Sequence, residues 1–138
     1  MDNIKRIKVF TGSPSDTIEE RSKIKGIFEE LNQTLGKDKD VYIQSVMWEN
    51  DVRPTVGADA QDVINSQTRD YDIFVGMMWK KYGTPTPRAN SATDEEYSYA
   101  INNFSNGGHC KDVIFMFSNK PFGIDDADAD QIQKVKDF

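Results

Sequence analysis

Apolar positions along this chain follow two rhythms, short runs of β-branched and aromatic residues and longer stretches with helical spacing, and the two alternate. Ile4 to Phe10 reads as a first strand. It stops at Thr11-Gly12-Ser13-Pro14-Ser15-Asp16, a turn that doubles as a helix start, with Asp16 as N-cap and Glu19 at N3 in an Asp variant of the capping box. Ile24, Ile27, Phe28 and Leu31 then recur at helical spacing, and the polar stretch from Asn32 to Asp40, which contains Gly36, ends that helix.

Val41 to Trp48 alternates and predicts a second strand. A long polar loop from Glu49 to Ala58 follows, and Asp59 to Gln67 predicts a short helix with Val63 and Ile64 inward. Tyr71 to Met78 is apolar apart from Asp72, the pattern of a strand buried on both faces of a parallel sheet and therefore central. Beyond the Gly83 to Asn90 loop, Tyr97, Ala100, Ile101 and Phe104 form a core-facing stripe, and Gly107-Gly108 stops the helix. Val113 to Phe117 predicts the fourth strand. Asp128 to Phe138 begins a further helix with Ile132 and Val135 inward.

Four β-α repeats with right-handed crossovers imply an α/β fold of three layers around a central parallel sheet. Doubly wound folds of this size usually carry a fifth strand, so residues 1–138 are expected to be the N-terminal module of a longer polypeptide, stopping before the last strand.

The 138 residues suffice for one domain. Lys+Arg of 17 against Asp+Glu of 23 gives a net charge of -6, which opposes approach to a phosphate backbone and argues against nucleic acid as a partner. No apolar run approaches the roughly 20 residues needed to cross a bilayer, and the N-terminus lacks the apolar segment of a signal peptide, so the expected compartment is the cytoplasm. One cysteine, Cys110, and one histidine, His109, make neither an internal disulfide nor a zinc site nor a nucleophile-His-acid triad, and both read as structural. Asp126-x-Asp128-x-Asp130 mimics part of a calcium loop, but Gln131 stands where that loop needs glycine, so a helix cap is the better reading.

In an open α/β sheet ligands bind outside the carboxyl ends of the strands, which directs attention to the loop after the third strand and the helix it feeds. That helix opens on Glu95 and Glu96, with Ser91 or Thr93 available as N-cap. Acidic residues favour helix N-termini for electrostatic reasons alone. Glu96, four residues before Ala100, borders the face that meets the sheet, where a carboxylate can stabilise an oxocarbenium-like centre or orient a ribose hydroxyl; Glu95 is expected to point further toward solvent. Gly12 and Ser13 offer small side chains and backbone N–H groups at a helix start, which suits a phosphate as well as a plain capped turn. Trp48, Trp79 and Tyr82 sit at or just after strand ends, where rings stack on a nucleobase or lid the core; Arg53 and Arg88 suit phosphate or plain solvent exposure.

Taken in order, VFTGSPSDTIEERSKI, MWENDVRP, DYDIFVGMMWKKYGTPT and SATDEEYSYAI resemble the TIR-like domains grouped as DUF4062, from Val9 to about Phe117. The resemblance implies a flavodoxin-like TIR fold, found in bacterial antiphage defence and signalling proteins as an N-terminal module before sensor or ATPase regions. Many prokaryotic TIR domains cleave the nicotinamide-ribose bond of NAD with a glutamate on the helix after strand three and a flexible loop after strand two. Carried over, the glutamate is Glu96, the loop is Glu49 to Ala60, and the nucleotide-facing first loop is Gly12 and Ser13; Trp48, Arg53, Trp79, Tyr82 and Thr84 are added as candidate nucleotide contacts from their places at strand ends and loops. NAD would be substrate, no cofactor is implied, and self-association through the 49–60 loop would complete the site. Ala92 stands where many TIR enzymes carry tryptophan, with Trp79 as a substitute ring. Two other activities fit the same resemblance: a non-catalytic TIR-like interaction or oligomerisation module, and a nucleoside deoxyribosyltransferase-like enzyme.

Overall fold

Successive side chains of a strand point to opposite faces, and in this chain both faces are apolar, so the sheet must be covered on both sides. The computed structural model describes residues 3–47, 70–83 and 91–138. Lys5–Gly12 (β1), Val41–Val46 (β2), Ile73–Met78 (β3) and Asp112–Phe117 (β4) form one four-stranded parallel sheet in the order β2-β1-β3-β4. The fold is α/β, a three-layer arrangement consistent with a flavodoxin-like architecture. Register runs from Lys5 opposite Val41 to Phe10 opposite Val46, and from Val9 opposite Ile73 to Gly12 opposite Gly76. The expectation that the third strand is central holds, since β3 lies between β1 and β4.

Helix Ile18–Leu31 (α1) covers one face, where Ile24 joins Val9, Met47, Val75 and Met77. Helix Ala92–Ser105 (α2) covers the other, where Ala100 joins Phe10, Val46, Tyr71, Phe74 and Cys110. Helix Ala129–Asp137 (α3) starts at Asp128, whose side chain accepts from the N–H of Asp130 and Gln131, so the acidic run is a cap as expected. Ile132 and Val135 on α3 are half-buried. His109 donates from Nδ1 to the Tyr71 carbonyl at 2.6 Å and stacks edge-on against that ring, and Cys110 is free and buried; both serve the structure.

Several expectations are corrected. The polar stretch after Leu31 does not end the helical run: a π-helical turn, Asn32–Gly36, carries it into Lys37–Lys39, and Asp40 in the left-handed conformation (φ 55°) stops it. The reason is tertiary, because the Asn32 side chain bonds both the N–H and the carbonyl of Ile43 on β2, at 2.7 and 2.9 Å. At Gly36 an added Cβ would lie 2.6 Å from the Val41 carbonyl oxygen, so this glycine permits close approach to β2 rather than breaking the helix. Ile27 is 51% exposed and off the inward stripe. On α2 the inward line is Thr93, Glu96 and Ala100, with Tyr97 packed on Phe115, while Phe104 in the last turn is 47% exposed. Strand four lies at the sheet edge, and Ile114, Met116 and Phe117 remain substantially exposed.

Trp48, Arg53, the 49–60 loop, the Asp59 to Gln67 helix, Thr84 and Arg88 lie outside the described residues. Among those described, no helix is long and apolar enough to cross a membrane.

Candidate functional site

At the carboxyl end of β1 the chain narrows to Gly12, and the carboxylate of Glu96 lies directly against it. A Cβ on Gly12 would fall well inside the van der Waals radius of Glu96 Oε2, and 3.2 Å from both Glu96 Cδ and Phe74 Cε2. Only hydrogen fits there. Glu96 is 6% exposed and directly follows the first turn of α2, the helix whose N-terminus is capped by the Ser91 hydroxyl accepting from the Asp94 N–H at 3.0 Å. Glu95 is 8% exposed, which corrects the expectation that it points toward solvent; Ser91 and Thr93 are buried beside it, while Ala92 and Asp94 are half-buried.

The turn after Gly12 is built differently from a capping box. A 3-10 turn, Ser15–Thr17, precedes α1, and Thr17 at its N-cap position makes no capping bond; its hydroxyl instead donates to the Pro14 carbonyl at 2.8 Å. Asp16, expected as the cap, reaches across to β3's outgoing loop, where Oδ2 accepts from the N–H of Lys80 and Lys81 at 3.1 and 3.0 Å. Asp16 thus ties the first loop to the loop after β3. Thr11 Oγ1 and Ser13 Oγ are buried and make no hydrogen bond among the described residues.

From the α1 side comes Arg21, whose guanidinium donates to the Pro14 carbonyl at 3.4 Å. Burial pulls its pKa down, with the negative charge of Glu96 acting in the opposite sense. Beneath them the Tyr71 hydroxyl is pushed well above its ordinary pKa, first by burial and then by the neighbouring Cys110, Tyr99 and Glu96. It stays a neutral phenol.

Gly12, Ser13 and Glu96 are therefore brought together. Trp79 and Tyr82 are engaged on the other side of the β3 loop. Trp79 donates from Nε1 to the Lys120 carbonyl at 2.7 Å, meets Phe122 edge-on, and has the ammonium groups of Lys80 and Lys120 over its ring at 4.2 and 4.0 Å. Lys120 also pairs with Glu20 and Glu19, at 3.1 and 3.3 Å. Tyr82 is buried against Phe138 with its hydroxyl donating to Asp94; burial and that bond raise its pKa to about 12. Its N–H and that of Gly83 both donate to Gln131 of α3. This ring positions the first turn of α2.

Two residues at the site escape sequence reasoning, Arg21 and Asp94. Arg21 follows Glu19 and Glu20 and reads as one member of a solvated charge run; its spacing of three from Ile24 is the signal that it points inward. Among the described residues there is no cluster of three or more metal-binding side chains. What the arrangement offers chemically is a carboxylate shielded from water, small residues on the strand end against it, and a guanidinium on the carbonyl of the adjoining loop.

A family model described as a domain of unknown function, DUF4062, matches residues 8–137, and the chain belongs to that family. The match extends beyond the stretch to Phe117 in which the motifs lie. No curated protein and no solved structure matches the chain.

Proposed function

We propose that this DUF4062 domain is a TIR-like effector that hydrolyses the nicotinamide-ribose bond of NAD or a related nucleotide, with Glu96 as its catalytic carboxylate. The observation that carries the reading is the seating of Glu96: 6% exposed, pressed on Gly12 at the carboxyl end of a central strand. Heterolysis of the glycosidic bond sends its electron pair to nicotinamide, which leaves neutral, and puts positive charge on the ribose carbon and ring oxygen. Water then adds to that carbon and loses a proton. A preorganised carboxylate beside the developing cation lowers the barrier, and more so where water is excluded. The missing side chain of Gly12 lets the Glu96 carboxylate seat at the strand end, and the neighbouring Ser13 hydroxyl supplies a partner for the polar edge of the ribose.

Trp79 and Tyr82 then act as supports of the loop after β3, while Trp48, Arg53 and Thr84 remain the candidate nucleotide contacts of the sequence. NAD is substrate, not cofactor. Activity depends on self-association through the 49–60 loop, in a cytoplasmic protein of bacterial antiphage defence or signalling whose C-terminal region carries the sensor or ATPase. The test is chromatography of NAD incubated with the triggered full-length protein. Release of nicotinamide with ADP-ribose or a cyclic product supports hydrolysis; exchange of bases between nucleosides without it would instead assign a deoxyribosyltransferase. Intact NAD alongside a functioning assembly would assign a non-catalytic interaction module.

A further inference from the structure

Helix α3 has no buried residue, yet it holds the turn that supports the start of α2. At nine residues it is shorter than the roughly 12–15 that an isolated helix needs, so its place is set by what it docks on. Two anchors do this, one toward each end. Near the N-terminus, Gln131 Oε1 accepts from the N–H of Tyr82 and of Gly83, at 2.9 and 3.0 Å. At the other end the Phe138 ring meets Tyr97 of α2, Phe115 and Phe117 of β4, and Tyr82 itself, with ring centres 4.9 to 6.3 Å apart. The turn held in this way is closed against α2. Gly83 lies at φ 116°, where other side chains are strained, and a Cβ on it would stand 3.3 Å from the Ser91 Cβ. Ser91 caps α2, its hydroxyl accepting from the Asp94 N–H and its carbonyl from the Glu95 N–H, each at 3.0 Å. Tyr82 adds a second tie through its hydroxyl, which donates to Asp94. Direct contacts therefore run from Gln131 through Tyr82 and Gly83 to Ser91, Asp94 and the turn before Glu96.

We infer that α3 is a latch: docked, it fixes the Tyr82–Gly83 turn and, through Tyr82, the first turn of α2; released, it lets both loosen while the sheet and its two cores stay folded. Neither core cluster draws a residue from α3, so the helix can leave without opening them. A segment with no buried residue, held by two backbone hydrogen bonds and one half-buried ring, opens at a lower free energy than the whole fold. A partner that captures the inner face of α3, where Gln131, Ile132, Val135 and Phe138 are half-buried, would draw the helix away and shift that equilibrium. The latch stands on these contacts whether or not Glu96 is catalytic, and what it controls is the order of the turn that Glu96 follows.

The test is native-state amide hydrogen exchange of the full-length protein, wild type beside Phe138→Ala and Tyr82→Phe. Phe138 makes no hydrogen bond to the turn, so its effect on the Gly83 N–H must travel through the docking of α3. In Phe138→Ala the N–H groups of Ile132, Gly83 and Asp94 should exchange about tenfold faster or more, with the amides of β1 and β3 at wild-type rates. Wild-type exchange at Gly83 and Asp94 overturns the latch, and so does an equal acceleration at β1 and β3, which would make α3 part of the global fold. Tyr82→Phe removes the tie to Asp94 and should speed Asp94 and Glu95 while leaving Ile132 as in wild type; unchanged Asp94 and Glu95 would break the path to α2. Should Phe138→Ala not fold, exchange of the wild type in rising urea decides. Ile132, Tyr82, Gly83 and Asp94 should then open together, at lower urea than β1 and β3, whereas opening only with the global transition overturns the proposal.

Discussion

Replacing Gly12 with alanine adds one methyl group at the point where β1 meets Glu96, and the sign of the result is diagnostic. Alanine in a strand is ordinarily favoured over glycine by about 0.5–1 kcal/mol, because glycine loses more freedom on folding. Here the new Cβ would sit inside the radius of Glu96 Oε2 and 3.2 Å from Phe74 Cε2, so the carboxylate or the strand end must retreat by roughly 1.5 Å to reach ordinary contact near 3.5 Å. Overpacking of that kind costs about 1–3 kcal/mol, which outweighs the propensity gain and leaves a net loss of about 1–2 kcal/mol. In urea, with a slope of about 1–3 kcal/mol/M, the midpoint should fall by roughly 0.5–1 M. NAD turnover should fall by about 100-fold, the penalty for a reacting group misplaced by about 1 Å. In a Glu96→Ala background the same substitution should cost at least about 1 kcal/mol less, since the clashing oxygen is gone. A Gly12→Ala midpoint equal to or above that of wild type would refute the reasoning, because it would mean that Glu96 does not lie on the strand.

Phe74→Ala empties a fully buried site in the α2-side core and should cost about 3–5 kcal/mol in urea; a loss under about 1 kcal/mol would contradict the packing. Asn32→Ala leaves both backbone groups of Ile43 without their partner and should destabilise by about 1–3 kcal/mol, with the amide exchange of Ile43 as the local readout. Lys8 holds the Asp70 carboxyl below its ordinary pKa, first by hydrogen bonding, with burial opposing it. That contribution is complete above the unfolded pKa and disappears as pH falls through the lower folded one. Because Asp70 is 68% exposed, Asp70→Asn should cost only about 0.2–1 kcal/mol at neutral pH, with the difference closing on acidification; a gap that widens in acid would reverse the assignment.

The strand pattern was readable because each β run is short, apolar and bounded by turn residues, and the continuous apolar stretch of β3 carried its central place as well. The inward position of Glu96 was readable from its spacing to Ala100. What the pattern could not reveal depends on contacts remote in sequence. Asn32 and Gly36 look like a helix stop until β2 is beside them, when the amide pairs with Ile43 and the missing side chain admits the Val41 carbonyl. Asp16 has the local signature of an N-cap, yet two N–H groups more than sixty residues away claim its carboxylate. Glu95 obeys the helix period yet is buried along with Thr93 and Glu96, a matter of surroundings rather than of phase. Arg21 sits in a run of charges, and only the folded first loop, whose Pro14 carbonyl accepts from its guanidinium, shows which of them turns inward.

The most direct measurement of the central claim is nicotinamide release from NAD by the triggered full-length protein and by its Glu96→Gln form, with both shown folded by matching urea transitions. Loss of a preorganised catalytic charge predicts a fall in turnover of at least about 100-fold with the fold retained. Turnover by folded Glu96→Gln equal to that of wild type would contradict the account.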